Sequence, residues 1–272
     1  MISEKSYGVT SQRETLSPAD AAAEEIRING FTILSKVLSV DELETARKLI
    51  DQVYSMQESE LGAEALAQIN EKNLARCPLA YDEFFLRKVA VNPRVMEIVS
   101  SILGNYFVLH LQNAIINKPS EEHHQSSWHR DLPYQNFVIS TPLALGALFA
   151  IDEFSEKTGC TYVIPFSHRE ETIPSAGYLD KHRTPVLAEA GSVILFDAML
   201  FHKAGYNSSS IIRRAINNVY TSPILRQQIS LPPFLDGKYS DDPFLARLLG
   251  YESETPSSVN DWRKRRIART KK

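Results

Sequence analysis

Three short stretches of the chain carry side chains able to hold a metal ion. Trp128-His129-Arg130-Asp131 offers an imidazole and a carboxylate two positions apart. Phe196-Asp197-Ala198-Met199-Leu200-Phe201-His202 offers a second imidazole, and Arg213 stands eleven residues later. Two histidines and one carboxylate on one face of an ion leave three coordination positions open, the facial triad of non-haem Fe(II) oxygenases. A guanidinium near such an ion can grip the distal carboxylate of 2-oxoglutarate through a forked, charge-assisted pair.

No fragment is decisive alone. With 7 His and 12 Asp in 272 residues, a His-x-Asp arises by chance about 0.3 times. A single His in a Phe-rich strand is more often a satisfied core residue than a ligand. Order, context and spacing together carry the reading.

The flanking motifs extend it. Asn29-Gly30-Phe31-Thr32-Ile33-Leu34 and Ile116-Asn117-Lys118-Pro119 precede the His-x-Asp pair. After it come Thr158-Gly159-Cys160, Pro165-Phe166-Ser167-His168 and Gly191-Ser192-Val193. His202 is then followed by Gly205, Asn207 and Arg213-Arg214-Ala215-Ile216. From about Asn29 to about Ser222 the chain resembles the phytanoyl-CoA dioxygenase family of Fe(II)/2-oxoglutarate oxygenases. Matched residue by residue, the resemblance implies that His129, Asp131 and His202 are the catalytic iron ligands and Arg213 the 2-oxoglutarate clamp. It implies Fe(II), 2-oxoglutarate and O2 as cofactor and cosubstrates, ascorbate as a supporting reductant, and hydroxylation coupled to release of succinate and CO2. Asp131 favours hydroxylation over halogenation, since related halogenases put chloride in place of the carboxylate. Two positions depart from the pattern: the family usually has Gly where Phe166 stands, and some members place a tryptophan near Ala147 or Leu148.

Within the family, Trp128 to Gln135 looks like the small-molecule branch. The closest resemblance there is to 2-aminoethylphosphonate dioxygenases, which implies organophosphonate breakdown through 2-amino-1-hydroxyethylphosphonate. Another small metabolite, such as an amino acid or natural-product intermediate, is the alternative substrate, and a catalytically silent jelly-roll binding protein the alternative class. Arg130, Tyr134, Asn136, Lys118 and the basic C-terminal arm are the donors available to an anionic substrate. Gln112 and Asn113 share a strand with Lys118, and one or two of these three are expected to face the cavity. Asp197 is a candidate acceptor for a ligand imidazole, or equally a surface or capping aspartate. The adjacent His123 and His124 read as an exposed pair, and His168 as a turn residue tying a loop.

These groups need a scaffold. Ser17-Pro18 opens a helix with a capping hydroxyl and a proline at its first turn, and Gly30 ends it. Phe31 to Leu34 reads as a strand. Ser39-Val40-Asp41-Glu42 is a capping box, followed by Leu43, Ala46, Ile50 and Val53 at helical spacing through about Met56. Residues 57–76 read as polar helix and 85–103 as a further helix. From Tyr106 the character changes to strands, at 107–118, 143–151, 161–165, 192–196 and 211–221, with turns at Lys157-Thr158-Gly159 and Ala190-Gly191. Helices followed by many short strands give a mainly β fold with helices outside. The family resemblance makes it a double-stranded β-helix, or jelly roll. On it His129 and Asp131 are expected to alternate onto one side of a strand.

The 43% apolar content suits one large core, so a single domain is expected: a helical part at 17–103, the jelly roll at 104–222 and a C-terminal extension at 223–272. Arg263, Lys264, Arg265, Arg266, Arg269, Lys271 and Lys272 carry +7 of a net −3, leaving −10 on residues 1–262. That balance argues against a nucleic-acid partner, and nothing points to an obligate protein partner. Cys77 and Cys160, far apart, fit reduced thiols in the cytoplasm. No signal peptide or membrane span is visible.

Overall fold

The computed structural model describes residues 16–121, 125–132 and 134–270. The chain begins with α1 (Pro18–Asn29), β1 (Phe31–Leu34), α2 (Val40–Leu61), α3 (Ala63–Gln68) and β2 (Leu74–Arg76). A π-helical turn (Phe85–Ala90) and α4 (Pro93–Leu103) lead into β3 (Val108–Asn117), β4 (Ala144–Ala150) and β5 (Thr161–Val163). After α5 (Ala176–His182) come β6 (Thr184–Val186), β7 (Val193–Asp197), β8 (His202–Ala204) and β9 (Arg213–Thr221). Helices α6 (Leu231–Phe234), α7 (Pro243–Leu248) and α8 (Val259–Arg269) complete it.

The strands form two antiparallel sheets, β1-β7-β4-β9-β3-β2 and β6-β5-β8. This is the jelly roll, with helices on the outer face of the larger sheet. Period-two alternation sorts the side chains. Leu145, Ala147 and Phe149 of β4 and Val193 and Leu195 of β7 pack under Ile26, Ile50 and Val95 of the helices. The alternate residues Leu148, Ala150, Ile194 and Phe196 meet Val163 and Val186 of the small sheet. Both faces of the central strands are therefore apolar, which is why they read as continuous hydrophobic runs. Charged positions are confined to the ends that reach the site.

The caps form as their residue types require. Ser17 accepts from the Asp20 amide and Gly30 closes α1 at φ 92°, while Ser39 and Glu42 form the reciprocal box on α2. Two helical readings are corrected. Leu74–Arg76 pairs with Ile115, Ala114 and Asn113 instead of continuing a helix, because Leu74 and Ala75 bury themselves against β3. The 85–103 segment breaks at Asn92-Pro93: Asn92 caps the Arg94 amide, and Pro93 has no N–H to carry the helix through. The short strands β6 and β8 are too brief for alternation to reveal.

Phe166 adopts the left-handed conformation, φ 69° and ψ −8°, with its ring exposed. That backbone explains the glycine usual at this position, since a Cβ there costs roughly 1–2 kcal/mol. After the entropy cost of an added glycine, Phe166→Gly is expected to gain about 0.5–1 kcal/mol, read as a thermal midpoint raised by roughly 1–3 °C. A lowered midpoint would show that the ring carries packing that its exposure conceals.

Candidate active site

His129 and Asp131 lie on an extended segment paired with His202 of β8 and the turn before it. The His129 amide donates to the His202 carbonyl at 3.0 Å, the His202 amide donates back at 3.1 Å, and the Asp131 amide donates to Ala198 at 3.1 Å. This reciprocal pair sets the two histidines directly opposite one another, ring centroids 4.3 Å apart. The ligand atoms of His129, Asp131 and His202 lie within 4.8 Å of each other. The Asp131 Oδ1 to His202 Nε2 distance is 3.5 Å.

Backbone carbonyls orient both imidazoles. His129 Nδ1 lies 2.8 Å from the Ser127 carbonyl and His202 Nδ1 2.9 Å from that of Leu200. A carbonyl only accepts, so each Nδ1 carries the hydrogen, which makes each Nε2 the ligating atom for an ion. Of its two readings, Asp197 takes the capping one. Its Oδ1 accepts from the Met199 amide at 2.9 Å, shaping the turn before His202, and burial raises its carboxyl to about 6. The Phe196 ring packs on the His202 ring at 4.9 Å. Gly146 makes room for it, since a Cβ there would come within 2.2 Å of the Phe196 ring.

Asp131 is buried from solvent by its neighbours, and burial alone would raise its carboxyl. The hydrogen bond and charge of His202, then His129 and Asn217, outweigh burial and hold it below the usual range. Asn217 Nδ2, from β9, contributes a long contact of 3.4 Å to Asp131 Oδ2.

Arg213 opens β9 and is 2% exposed. Its Nη2 donates to the Gly159 carbonyl at 2.9 Å and its guanidinium lies over the Phe154 ring at 4.4 Å. Gly159 has φ 77°, and a Cβ there would approach the Gly205 carbonyl to 2.5 Å, so glycine is required to present that carbonyl. Burial brings the Arg213 guanidinium down to about 10, still a cation at neutral pH. Among the described residues no carboxylate pairs with it, and its Nε has no partner. Its neighbour Arg214 takes Asp51 at 2.8 Å and Asp152 at 3.2 Å. A buried, uncompensated cation is costly, so an anionic ligand beside it supplies what the protein leaves out. Two imidazole lone pairs, an ionised carboxylate and this guanidinium fit Fe(II) with a dicarboxylate. The thiols are spectators: burial raises Cys77 to about 12 and Cys160 to about 11.

Two cavities meet at the triad. His129, His202, Arg213, Asn217 and Leu148 line the inner one, so the position where some relatives carry tryptophan borders it. The outer chamber, about 570 Å3, has Asp131 on its wall together with His110, Leu111, Leu132, Tyr134, Leu143 and Leu225.

The four expected substrate contacts disperse. Tyr134 lines the outer chamber and is exposed. Asn136 is exposed but lines neither cavity. Arg130 donates to the carbonyls of Met199, Glu170 and Glu171 and stacks over Phe201 at 3.9 Å, acting as a strut behind the ligand segment. The Lys118 ammonium lies 6.0 Å from the Tyr54 ring of α2, on the helical side of the sheet. Gln112 is spent on the Phe85 carbonyl and Asn218. Asn113, on the same strand, lines neither cavity. His168 does tie a loop, its Nε2 3.3 Å from the Arg27 carbonyl. His123 and His124 lie outside the described residues, as do Lys271 and Lys272. Sequence reasoning missed His110, Arg226 and Asn217; His110 interrupts the apolar start of β3, Val108 to Leu111, and nothing local marks the other two.

Comparison with known proteins agrees with this geometry. An uncharacterized protein of Mycobacterium tuberculosis is 32% identical over 261 residues, 92% of this chain and 93% of its own length. The dioxygenase af480 of Aspergillus fumigatus is 26% identical over 250 residues, covering 86% of this chain and 77% of its own. The structure of EctD from S. alaskensis with 2-oxoglutarate and 5-hydroxyectoine superposes with a TM-score of 0.64 at 20% identity, over 81% of this chain and 82% of that one, which shows a shared fold. The model of the phytanoyl-CoA dioxygenase (PhyH) family matches residues 26–215, and the chain belongs to that family of dioxygenases dependent on Fe(II), 2-oxoglutarate and O2.

Proposed function

We propose that this protein hydroxylates a small metabolite held in the outer chamber, with His129, Asp131 and His202 as the iron ligands and Arg213 as the clamp for the far carboxylate of 2-oxoglutarate. The carrying observation is the buried Arg213 cation without a counter-ion, beside the same cavity as the two ligand histidines. When bound, Fe(II) and 2-oxoglutarate use O2 to convert a C–H bond into C–OH, releasing succinate and CO2. The protein's part is placement. Ser127 and Leu200 fix the imidazoles, Gly159 fixes the guanidinium, and Phe154, Leu148 and Phe196 exclude water around them. Asp131 stands between the cavities, so a substrate carbon in the chamber lies next to the metal position.

Two substrate readings follow. The resemblance of Trp128 to Gln135 supports 2-aminoethylphosphonate, and Arg226, exposed on the chamber wall, is the cation that would meet its phosphonate. The leucine-rich wall supports instead a larger metabolite with an apolar body, because the chamber exceeds what a seven-atom zwitterion fills and such pockets favour apolar ligands. The geometry favours the second. A cytoplasmic location, supported by the two protonated thiols, belongs to the same proposal; among the described residues no helix is long and apolar enough to cross a membrane.

The test is succinate release with purified protein, Fe(II), ascorbate, 2-oxoglutarate and O2, one substrate at a time. Stimulation of at least about tenfold by an apolar-bodied metabolite over 2-aminoethylphosphonate supports the second reading, and the reverse order supports the first. Succinate formation that never depends on Fe(II) sinks both.

A further inference from the structure

The outer chamber contains one feature that packing does not explain. Strand β3 pairs with β9 in continuous register except between Leu109 and Leu111, where Leu109 faces Tyr220 and Leu111 faces Val219. His110 is the extra residue. A bulge re-aims one side chain out of the ladder, and such bulges gather beside active sites. Here the re-aimed side chain is an imidazole on the wall that also carries Asp131. Its Nδ1 is buried and has no hydrogen-bond partner. The bulge is held from behind: the Gln228 amide donates to the His110 carbonyl at 3.0 Å, and Gln227 Nε2 donates to Leu109 at 2.8 Å.

Most of the other polar groups on this wall are engaged, although Gln135 Oε1, like His110 Nδ1, is buried without a partner. Gln227 is divided between the Leu109 and Leu249 carbonyls, Gln228 accepts from Arg76, and Gln135 donates to the Phe137 carbonyl. What remains facing a ligand is a leucine surface with the His110 ring, the Asp131 carboxylate at the metal position and, where the chain is exposed, Tyr134 and Arg226. We propose that His110 is the specificity-determining residue of this chamber, accepting a hydrogen bond from a hydroxyl on a metabolite whose body is apolar and uncharged. This deepens the hydroxylase reading and rests on it. An imidazole nitrogen buried without a partner discriminates strongly in favour of a ligand that satisfies it, since a ligand lacking the polar group leaves the deficit in place. Burial lowers the His110 pKa, opposed by the hydrogen bond the ring donates to the Arg226 backbone carbonyl and by the charge of Asp131, so the ring is neutral and its other nitrogen is an acceptor.

The test uses two probes matched in shape, 1-naphthol and 1-methylnaphthalene, titrated against the full-length metal-free protein. Wild type is expected to bind 1-naphthol about tenfold more tightly than 1-methylnaphthalene, the effect of one hydrogen bond. His110→Leu should abolish the difference while changing 1-methylnaphthalene binding less than about twofold, and His110→Asn should restore part of it. In wild type labelled with 15N-histidine, the His110 ring signal, assigned by its absence in His110→Asn, should move with 1-naphthol and stay with 1-methylnaphthalene; this readout survives even if His110→Leu fails to fold. Equal affinities for the two probes, or a preference that persists in His110→Leu, overturns the assignment. Displacement of 1-naphthol by 2-aminoethylphosphonate at lower concentration, with no dependence on His110, overturns the substrate class. Because the titration uses metal-free protein, failure here leaves the oxygenase reading standing, whereas failure of wild type to bind Fe(II) removes that reading and leaves the His110 preference as a binding property alone.

Discussion

Asp131→Ala is expected to lower Fe(II) affinity by more than about 100-fold and reduce succinate formation to background, with the fold retained. Partners behind metal ligands are worth 10–100-fold when removed, and Asp131 is the only anionic member of the set. His129→Ala and His202→Ala should fail in the same way, since each removes one of three donors. Metal titration followed by calorimetry checks the binding, and circular dichroism checks the fold. Metal affinity should also depend on pH with a defined sign. Burial opposes a proton on His202, but the Asp131 hydrogen bond and charge outweigh it and raise its pKa above the ordinary value. Protons therefore compete with the ion increasingly as pH falls through that raised value. In Asp131→Asn the negative charge is gone, so residual metal binding should persist to lower pH. Full turnover in His202→Ala would remove the site assignment altogether.

Arg213→Ala is expected to leave Fe(II) binding within about twofold of wild type and to raise the 2-oxoglutarate requirement by roughly 30-fold to a few thousand-fold. That range is the 2–5 kcal/mol cost of unpairing a buried charge, read through the affinity scale. The defect should fall on 2-oxoglutarate and not on substrate, because Arg213 lines the inner cavity and not the chamber. Arg214→Ala provides the register control. Arg214 bridges Asp51 of α2 and Asp152, so its loss should cost stability of about 1 kcal/mol, discounted for exposure of Asp51, with the 2-oxoglutarate requirement unchanged. If Arg214→Ala shows the cosubstrate defect and Arg213→Ala does not, the alignment of the clamp is wrong by one residue.

The local elements were legible because local physics makes them. Ser17, Gly30, Ser39 and Glu42 cap helices by bonds to residues three or four away, and the apolar runs of β3, β4, β7 and β9 announce strands buried on both faces. The triad and Arg213 were legible as motifs, since their order and flanking residues survive in one dimension. The helix break at Asn92-Pro93 was readable in principle from the proline. The strand at Leu74–Arg76 was not, because three residues carry too little period to outweigh a polar helical pattern.

What the sequence alone determined was the inventory: which side chains could ligate, which glycines could turn, which runs had to be buried. What only the tertiary structure decided was the use to which each polar group is put. Arg130, Lys118 and Arg213 are all basic residues near or on strands leading to the site, yet one is a strut on backbone carbonyls, one rests on an aromatic ring, and one is left buried without a counter-ion. His110, which drew no notice in β3, becomes prominent because a single-residue bulge turns it toward the chamber. A charge or an imidazole has a role only relative to what surrounds it, and those surroundings are assembled from residues as far apart as Gly159 and Arg213, or Asp51 and Arg214. Long-range pairing of that kind is a property of the packed sheets and has no local signature in the chain.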